Sequence, residues 1–194
     1  MLEKVNQAPL IFGERVTLRL PKKQDINDRF QLGRNPEVVK LFGGDTHNLR
    51  EFTYEDAKAF IKKTEQNPLE WCIEYEGRWV GHARLRLDQR SNRASYSVGI
   101  FDSTVWGLGL GTEITQLVLQ YAFEQLQLHR VGLRVLDFNK RAIACYEKCG
   151  FVQEGMEREN VPIDGEYASD VLMGILDREY DQIKDQFNFK AVTK

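Results

Sequence analysis

The run Trp106-Gly107-Leu108-Gly109-Leu110-Gly111-Thr112-Glu113 sets a glycine at every second position, just ahead of a long amphipathic segment. Glycines so spaced let a backbone approach a ligand closely and turn successive N–H groups to one side, while the following helix adds the positive end of its dipole. The chemistry this suits is the cradling of a diphosphate. Spacing separates the loop from two other phosphate motifs. A dinucleotide fingerprint wants a third Gly or Ala three residues after the second, whereas Gly109 is followed by Leu110, Gly111 and Thr112. A P-loop needs Gly-Lys-Ser/Thr, which is absent. A glycine-rich turn that merely links a strand to a helix would also explain the loop.

A second segment narrows the choice: Asp137-Phe138-Asn139-Lys140-Arg141-Ala142-Ile143-Ala144-Cys145-Tyr146-Glu147-Lys148-Cys149-Gly150-Phe151. In this order and separation, the two segments resemble the GNAT superfamily of N-acetyltransferases. Its loop reads approximately Gln/Arg-x-x-Gly-x-Gly/Ala and its later segment Asn-x-x-Ala-x-x-x-Tyr-x-x-x-Gly-Phe. Gly109 and Gly111 match the first, and Asn139, Ala142, Tyr146, Gly150 and Phe151 the second. Further echoes are Gly13 to Arg19, Val98-Gly99-Ile100 and Asp164-Gly165-Glu166-Tyr167. They point to the branch of ribosomal-protein N-terminal acetyltransferases and spermidine acetyltransferase, where Trp106 is a familiar departure from Gln or Arg.

The resemblance implies an α+β fold: a mixed, mostly antiparallel, seven-stranded sheet with flanking helices, splayed by a bulge between its fourth and fifth strands. It implies acetyl-CoA as cosubstrate, held by Trp106, Gly107, Leu108, Gly109, Leu110, Gly111 and Thr112 at the diphosphate and by Val98, Gly99 and Ile100 along the pantetheine. Ala142 would line the same site. Asn139 would both cap a helix and touch pantetheine, although capping alone accounts for an Asn there. Tyr146 is the expected proton donor to the departing thiolate, against the alternative of one more aromatic on a packed helix face.

Acyl transfer also needs a neutral amine. Family members often carry a Glu on the fourth or fifth strand, and here those positions are Ser97 and Arg134, so a water chain is expected in its place. Asp102, Asp88, His82 and Glu113 are candidate bases by position only. For Glu113 the first helical turn is explanation enough, and His82 on a strand reads first as a packed or surface histidine. The acceptor is a primary amine, with a protein N-terminus preferred to a polyamine or aminoglycoside. Asp45, Glu51, Glu55 and Asp56 could draw a cation, or simply form a solvated face. Rival readings are an acetyl-CoA-binding protein without turnover and, on the loop alone, a flavin or nicotinamide oxidoreductase.

The elements that must position these groups follow from periodicity. Strands are expected at 15–20, 70–75, 78–87, 94–101, 130–136, 151–159 and 167–176, with a meander through 70–101 closed first at Glu76-Gly77. Helices are expected from Asp25 to about Arg34, from the capping-box signal at Thr53 to Gln66, over 110–126, and over 140–148 with Gly150 as stop. The stretch 35–52 reads as irregular. With 194 residues, 42% of them hydrophobic, and no linker or repeat, one domain over 1–194 is expected. A formal charge of -2 gives no excess for nucleic acid or membrane, and no run reaches transmembrane length. Three cysteines and no leader-like start point to a reducing cytoplasm. Cys145 and Cys149 read as helix-packing side chains, since no nearby Cys or His completes a metal shell. A homodimer is common in the branch the chain resembles.

Overall fold

In the computed structural model, which describes residues 7–189 and the backbone of 192–193, all strands join one sheet. They are β1 (Ile11–Phe12), β2 (Val16–Arg19), β3 (Glu70–Tyr75), β4 (Arg78–Asp88), β5 (Arg93–Ile100), β6 (Arg130–Leu136), β7 (Val152–Ile163), β8 (Glu166–Leu176) and β9 (Val192–Thr193). The spatial order is β7-β8-β6-β5-β4-β3-β2-β1-β9, nine strands where seven were expected. The two additions are two-residue pairings, too short to carry an alternating pattern. The β3–β4–β5 meander is antiparallel as anticipated, and Glu76-Gly77 turn with φ of 49° and 74°.

The one parallel pairing matters most. β5 meets β6 only at Arg93↔Arg130, Ala94↔Val131 and Ser95↔Gly132, and from Tyr96 onward the two strands part. The expected splay is therefore present, but not the expected bulge in β5. Its register against β4 runs without a shift from Asp88↔Arg93 to Gly81↔Ile100. The separation comes from where the parallel ladder ends.

Helices are α1 (Gln24–Leu32), α2 (Pro36–Leu41), α3 (Tyr54–Gln66), α4 (Leu110–Gln120), α5 (Lys140–Lys148) and α6 (Asp177–Ile183). Thr53 and Asp56 form the capping box that starts α3. Helix α2 lies inside the stretch read as irregular. Asn35 caps it, accepting from Glu37 N and Val38 N, and Pro36 supplies the first-turn φ. α1 stops before Gly33 at φ 59°, two residues short of expectation. The 110–126 helix ends as a π turn over Tyr121–Gln125. The last hairpin is longer than expected, with β7 and β8 turning on Asp164-Gly165 at φ of 53° and 85°.

The main core lies between the sheet and α4 with α5, where Ile114, Leu117 and Val118 pack with Val131, Met173 and Ile175. A smaller cluster of Ile61, Cys72 and Trp79 lies on the opposite face, with Ile26, Phe60 and Phe101 against it. Cys149 is fully buried in the main core, whereas Cys145 is half-buried with Sγ 3.5 Å from Thr112 Oγ1.

Glu113 joins the start of α4 to β2. Its fully buried carboxylate accepts from Arg15 N (2.8 Å), Arg15 Nε (2.9 Å) and Val16 N (3.2 Å). Gly13 is needed beside it, because a Cβ there would sit 2.5 Å from Glu113 Oε1. Replacing Glu113 with alanine leaves buried donors unpaired and is expected to destabilise the protein by about 2–4 kcal/mol, measured as a lower denaturant midpoint. A midpoint unchanged within error would show that this tie carries no weight.

Candidate active site

A cavity of about 590 Å³ opens where β5 leaves β6. Val98, Gly99 and Ile100 line one side, Trp106, Gly107, Gly109, Leu110, Gly111 and Thr112 one end, and Asn139, Ala142 and Tyr146 another wall. Of the residues named from sequence, Leu108 is the exception. Its side chain is 48% exposed and turned away, and its carbonyl accepts from Arg15 Nη1 at 2.6 Å. That bond fixes the loop's polarity by tying back a carbonyl.

The loop's N–H groups fall into two sets. Trp106 N donates to Ser103 O and Thr112 N to Gly109 O, so neither is spare. The N–H groups of residues 107–111 have no acceptor among the described residues. Gly107 and Gly109 hold left-handed φ of 81° and 83°, which turns the chain so that this run leads into the first turn of α4. A run of unpaired amides at a helix N-terminus fits an anion. Trp106 serves as scaffold: its indole donates to Ile100 O at 2.9 Å, and the Arg141 guanidinium stacks 4.0 Å from its ring centroid.

Beyond the end of the β5–β6 ladder, one edge of β5 from Tyr96 to Ile100 has no neighbouring strand among the described residues. An extended chain of alternating amide groups can occupy such an edge as a strand would. Tyr146 lies past it on α5, 8% exposed, with its ring edge-on to Tyr96 at 6.3 Å. No described residue hydrogen-bonds its hydroxyl. Burial pushes its phenol pKa up, so the group stays protonated. Asn139 caps α5, accepting from Ala142 N at 3.1 Å, and also lines the cavity.

The candidate bases separate cleanly. Glu113 is consumed by β2, Asp88 pairs with Arg93, and Asp102 accepts from Thr104 N and Oγ1. His82 Nδ1 lies 2.7 Å from Glu70, with its ring packed against Phe60 and Phe101. None of them lines the cavity, whereas Ser97 and Arg134 do. Arg134 pairs with Glu157 at 2.6 Å. Asp170, missed in the sequence, is the carboxylate that lines it among the described residues. It is 8% exposed, is held by Asn160 Nδ2 at 2.8 Å, and pairs in register with Leu136. Arg141 and Lys148 also line the cavity, with no carboxylate partner among the described residues. Both lie in the second motif, where their charge at helical spacing was the available signal.

The acidic residues noted near the second and third helices are largely committed. Asp56 takes both terminal nitrogens of Arg50 at 2.6 Å, Asp45 accepts from His47 N, and Glu55 faces Lys58. Asp45, His47 and Asp164 converge within 4.8 Å, but Thr46 donates to Asp164 and Lys40 stands 3.6 Å from it. The cluster is a clasp between this loop and the β7–β8 turn.

Comparison with known proteins gives the family. The acetyltransferase (GNAT) domain family matches residues 15–152. A putative ribosomal N-acetyltransferase of Bacillus subtilis, YdaF, is 30% identical over 184 residues, 87% of this chain and 95% of its own. The spermidine N(1)-acetyltransferase of Escherichia coli is 27% identical over 167 residues, 85% of this chain and 88% of its own. A probable N-acetyltransferase of Bacillus subtilis, YjcK, is 37% identical over 108 residues, 55% of this chain and 60% of its own. Among solved structures, spermidine N-acetyltransferase from Vibrio cholerae, in complex with CoA and spermine, superposes with a TM-score of 0.71 at 24% identity, over 86% of this chain and 98% of its own. The chain belongs to the GNAT acetyltransferase family and is an acetyl-CoA-dependent N-acetyltransferase. No helix among the described residues is long and apolar enough to cross a membrane.

Proposed function

We propose that the cavity receives acetyl-CoA with its diphosphate on the N–H groups of residues 107–111 and its pantetheine along the free edge of β5. The observation that carries this is the run of unpaired amides, whose Gly107, Gly109, Leu110 and Gly111 line the same cavity as that edge. When bound, acetyl-CoA supplies an acetyl group already activated as a thioester. The remaining chemistry is the chain's own. Arg141 and Lys148 add positive charge beside the phosphates. Tyr146, neutral and without a protein partner for its hydroxyl, gives its proton to the sulfur as the C–S bond breaks.

The amine nitrogen forms its new C–N bond from the Ser97 side of the sheet. Strand alternation sets Val131, Leu133 and Val135 into the main core with Val171 and Met173, and so turns Arg134 and Asp170 to the opposite face. Asp170 takes the ammonium proton before attack, directly or through water, in the role that Ser97 and Arg134 cannot fill. The proton the nitrogen sheds as the amide forms passes through water to restore Tyr146. Asp170→Asn is expected to lower kcat/KM about a hundredfold while leaving the Kd for acetyl-CoA unchanged. Undiminished turnover would remove Asp170 from the mechanism.

The acceptor is a primary amine. With Asp45 and Asp56 held by their own partners, the acidic residues lend little to a polyamine. The test is release of coenzyme A with a panel of amines: peptides with free N-termini, spermidine, an aminoglycoside and small amino acids. Saturable release with at least one amine is expected. Tight acetyl-CoA binding without release to any of them would contradict the reading.

A further inference from the structure

A second cavity, of about 180 Å³, shares Val38 and Phe42 with the first and is lined by Arg29, Arg34, Asn35 and Phe101. Arg29 is only 6% exposed. Its guanidinium lies 4.0 Å from the Phe52 ring centroid, 4.9 Å from that of Phe101 and 5.4 Å from that of Phe60. The Arg34 guanidinium stands 5.6 Å from the same Phe52 ring. Two cations thus converge on one aromatic ring.

Among the described residues, no carboxylate pairs with either. Asp56, whose charge reaches Arg29, gives both its oxygens to Arg50. Arg29 Nη1 donates to Gly33 O at 2.7 Å, but the Nε atoms of Arg29 and Arg34 are both buried without an acceptor. Burial, and then the neighbouring charge of Arg34, lower the Arg29 guanidinium to about 10. Stacking on aromatic rings offsets part of that cost and leaves the charge itself unneutralised. Paired guanidinium groups with spare donors are suited to a planar or tetrahedral oxyanion.

The partition between the two cavities is Phe42. Its ring stacks on Phe101 at 5.3 Å, and it packs so closely on Gly99 that an added Cβ there would fall 2.3 Å from Phe42 Cζ. Gly99 lines the acetyl-transfer groove, so the arginine pair lies one aromatic ring away from where the acceptor nitrogen is placed above.

We propose that Arg29 and Arg34 receive an oxyanion group, carboxylate or phosphate, carried by the acceptor itself, so that the enzyme acetylates a small amine of the amino-acid or amino-phosphate kind. This rests on the groove being the acetyl-transfer site. Phe42 then divides the substrate, with the amine on the Gly99 side and the oxyanion on the arginine side.

Turnover of β-alanine and phosphoethanolamine, compared with propylamine and spermidine, tests it in wild type and Arg34→Gln, with Arg29→Lys as a second variant that keeps the buried charge. At least one of the two oxyanion-bearing amines is expected to exceed propylamine in kcat/KM by about a hundredfold, and which one it is identifies the oxyanion. Arg34→Gln should remove most of that advantage and leave propylamine turnover and coenzyme A affinity unchanged; Arg29→Lys should weaken the preference while the protein stays folded. Calorimetric titration of the same two amines into the coenzyme A-loaded protein reads binding without chemistry. Propylamine or spermidine used as well as the oxyanion-bearing amines, or no binding of those amines in wild type, overturns the inference. Binding that is lost in Arg34→Gln, in a protein that transfers acetyl to no amine, would uphold the anion pocket and overturn the acetyl-transfer assignment of the groove.

Discussion

Replacing Gly111 with valine is expected to weaken coenzyme A binding at least about a hundredfold, roughly 2.8 kcal/mol, in a protein that still folds. Gly111 is the last of the five residues with unpaired N–H groups, inside the first turn of α4. Its φ is not among the positive values, and a Cβ there meets only Cys145 Sγ at 3.4 Å, an ordinary contact. Helix propensity adds no cost, since valine is a slightly better helix former than glycine, so the fold should be retained. Valine's two methyl groups would stand over amides meant for phosphate oxygens, whereas Gly111→Ala should bind nearly as wild type. Gly109 is the poorer test, since at φ 83° any side chain adds backbone strain to the blockade. Calorimetry with coenzyme A, alongside thermal unfolding, checks both variants. Wild-type affinity in Gly111→Val would mean that the phosphates lie elsewhere.

Tyr146→Phe is expected to lower kcat about a hundredfold and to leave the Kd for acetyl-CoA within about twofold. Phenylalanine keeps the edge-on contacts with Tyr96 and Phe151, and removing the hydroxyl strands no described partner. Only the proton donor is lost. The sign of the pKa shift supports this assignment: burial disfavours the phenolate, so Tyr146 stays protonated up to and beyond its ordinary value near 10. An alkaline fall in kcat at lower pH must therefore come from another group. Equal losses in kcat and affinity, by a coenzyme A release assay and calorimetry, would make Tyr146 a packing residue.

The parts of this site that the sequence revealed are those with local signatures. Alternate glycines, the Thr53–Asp56 capping box and the 3.6-residue period of α4 each act within a few residues, so spacing alone carries them. Helix α2 is hard to read because six residues show no period, and its one local signal is the Asn35-Pro36 start. Glu113 reads as an acid at a helix start, while its acceptors are spent on residues 97 and 98 positions away. Asp170 depends on the register of β8 against β6, which no local pattern fixes. Arg29 carries no local signal of burial in the sequence, and only the packing of Phe52, Phe60 and Phe101 around it shows it to be buried.

The most direct test is a crystal structure of the acetyl-CoA complex. Diphosphate oxygens within about 3.2 Å of main-chain nitrogens among residues 107–111 are expected, with the pantetheine running beside Val98, Gly99 and Ile100 and the thioester near Tyr146. A complex in which those amides face solvent, or in which the diphosphate is held by other residues, would contradict the account.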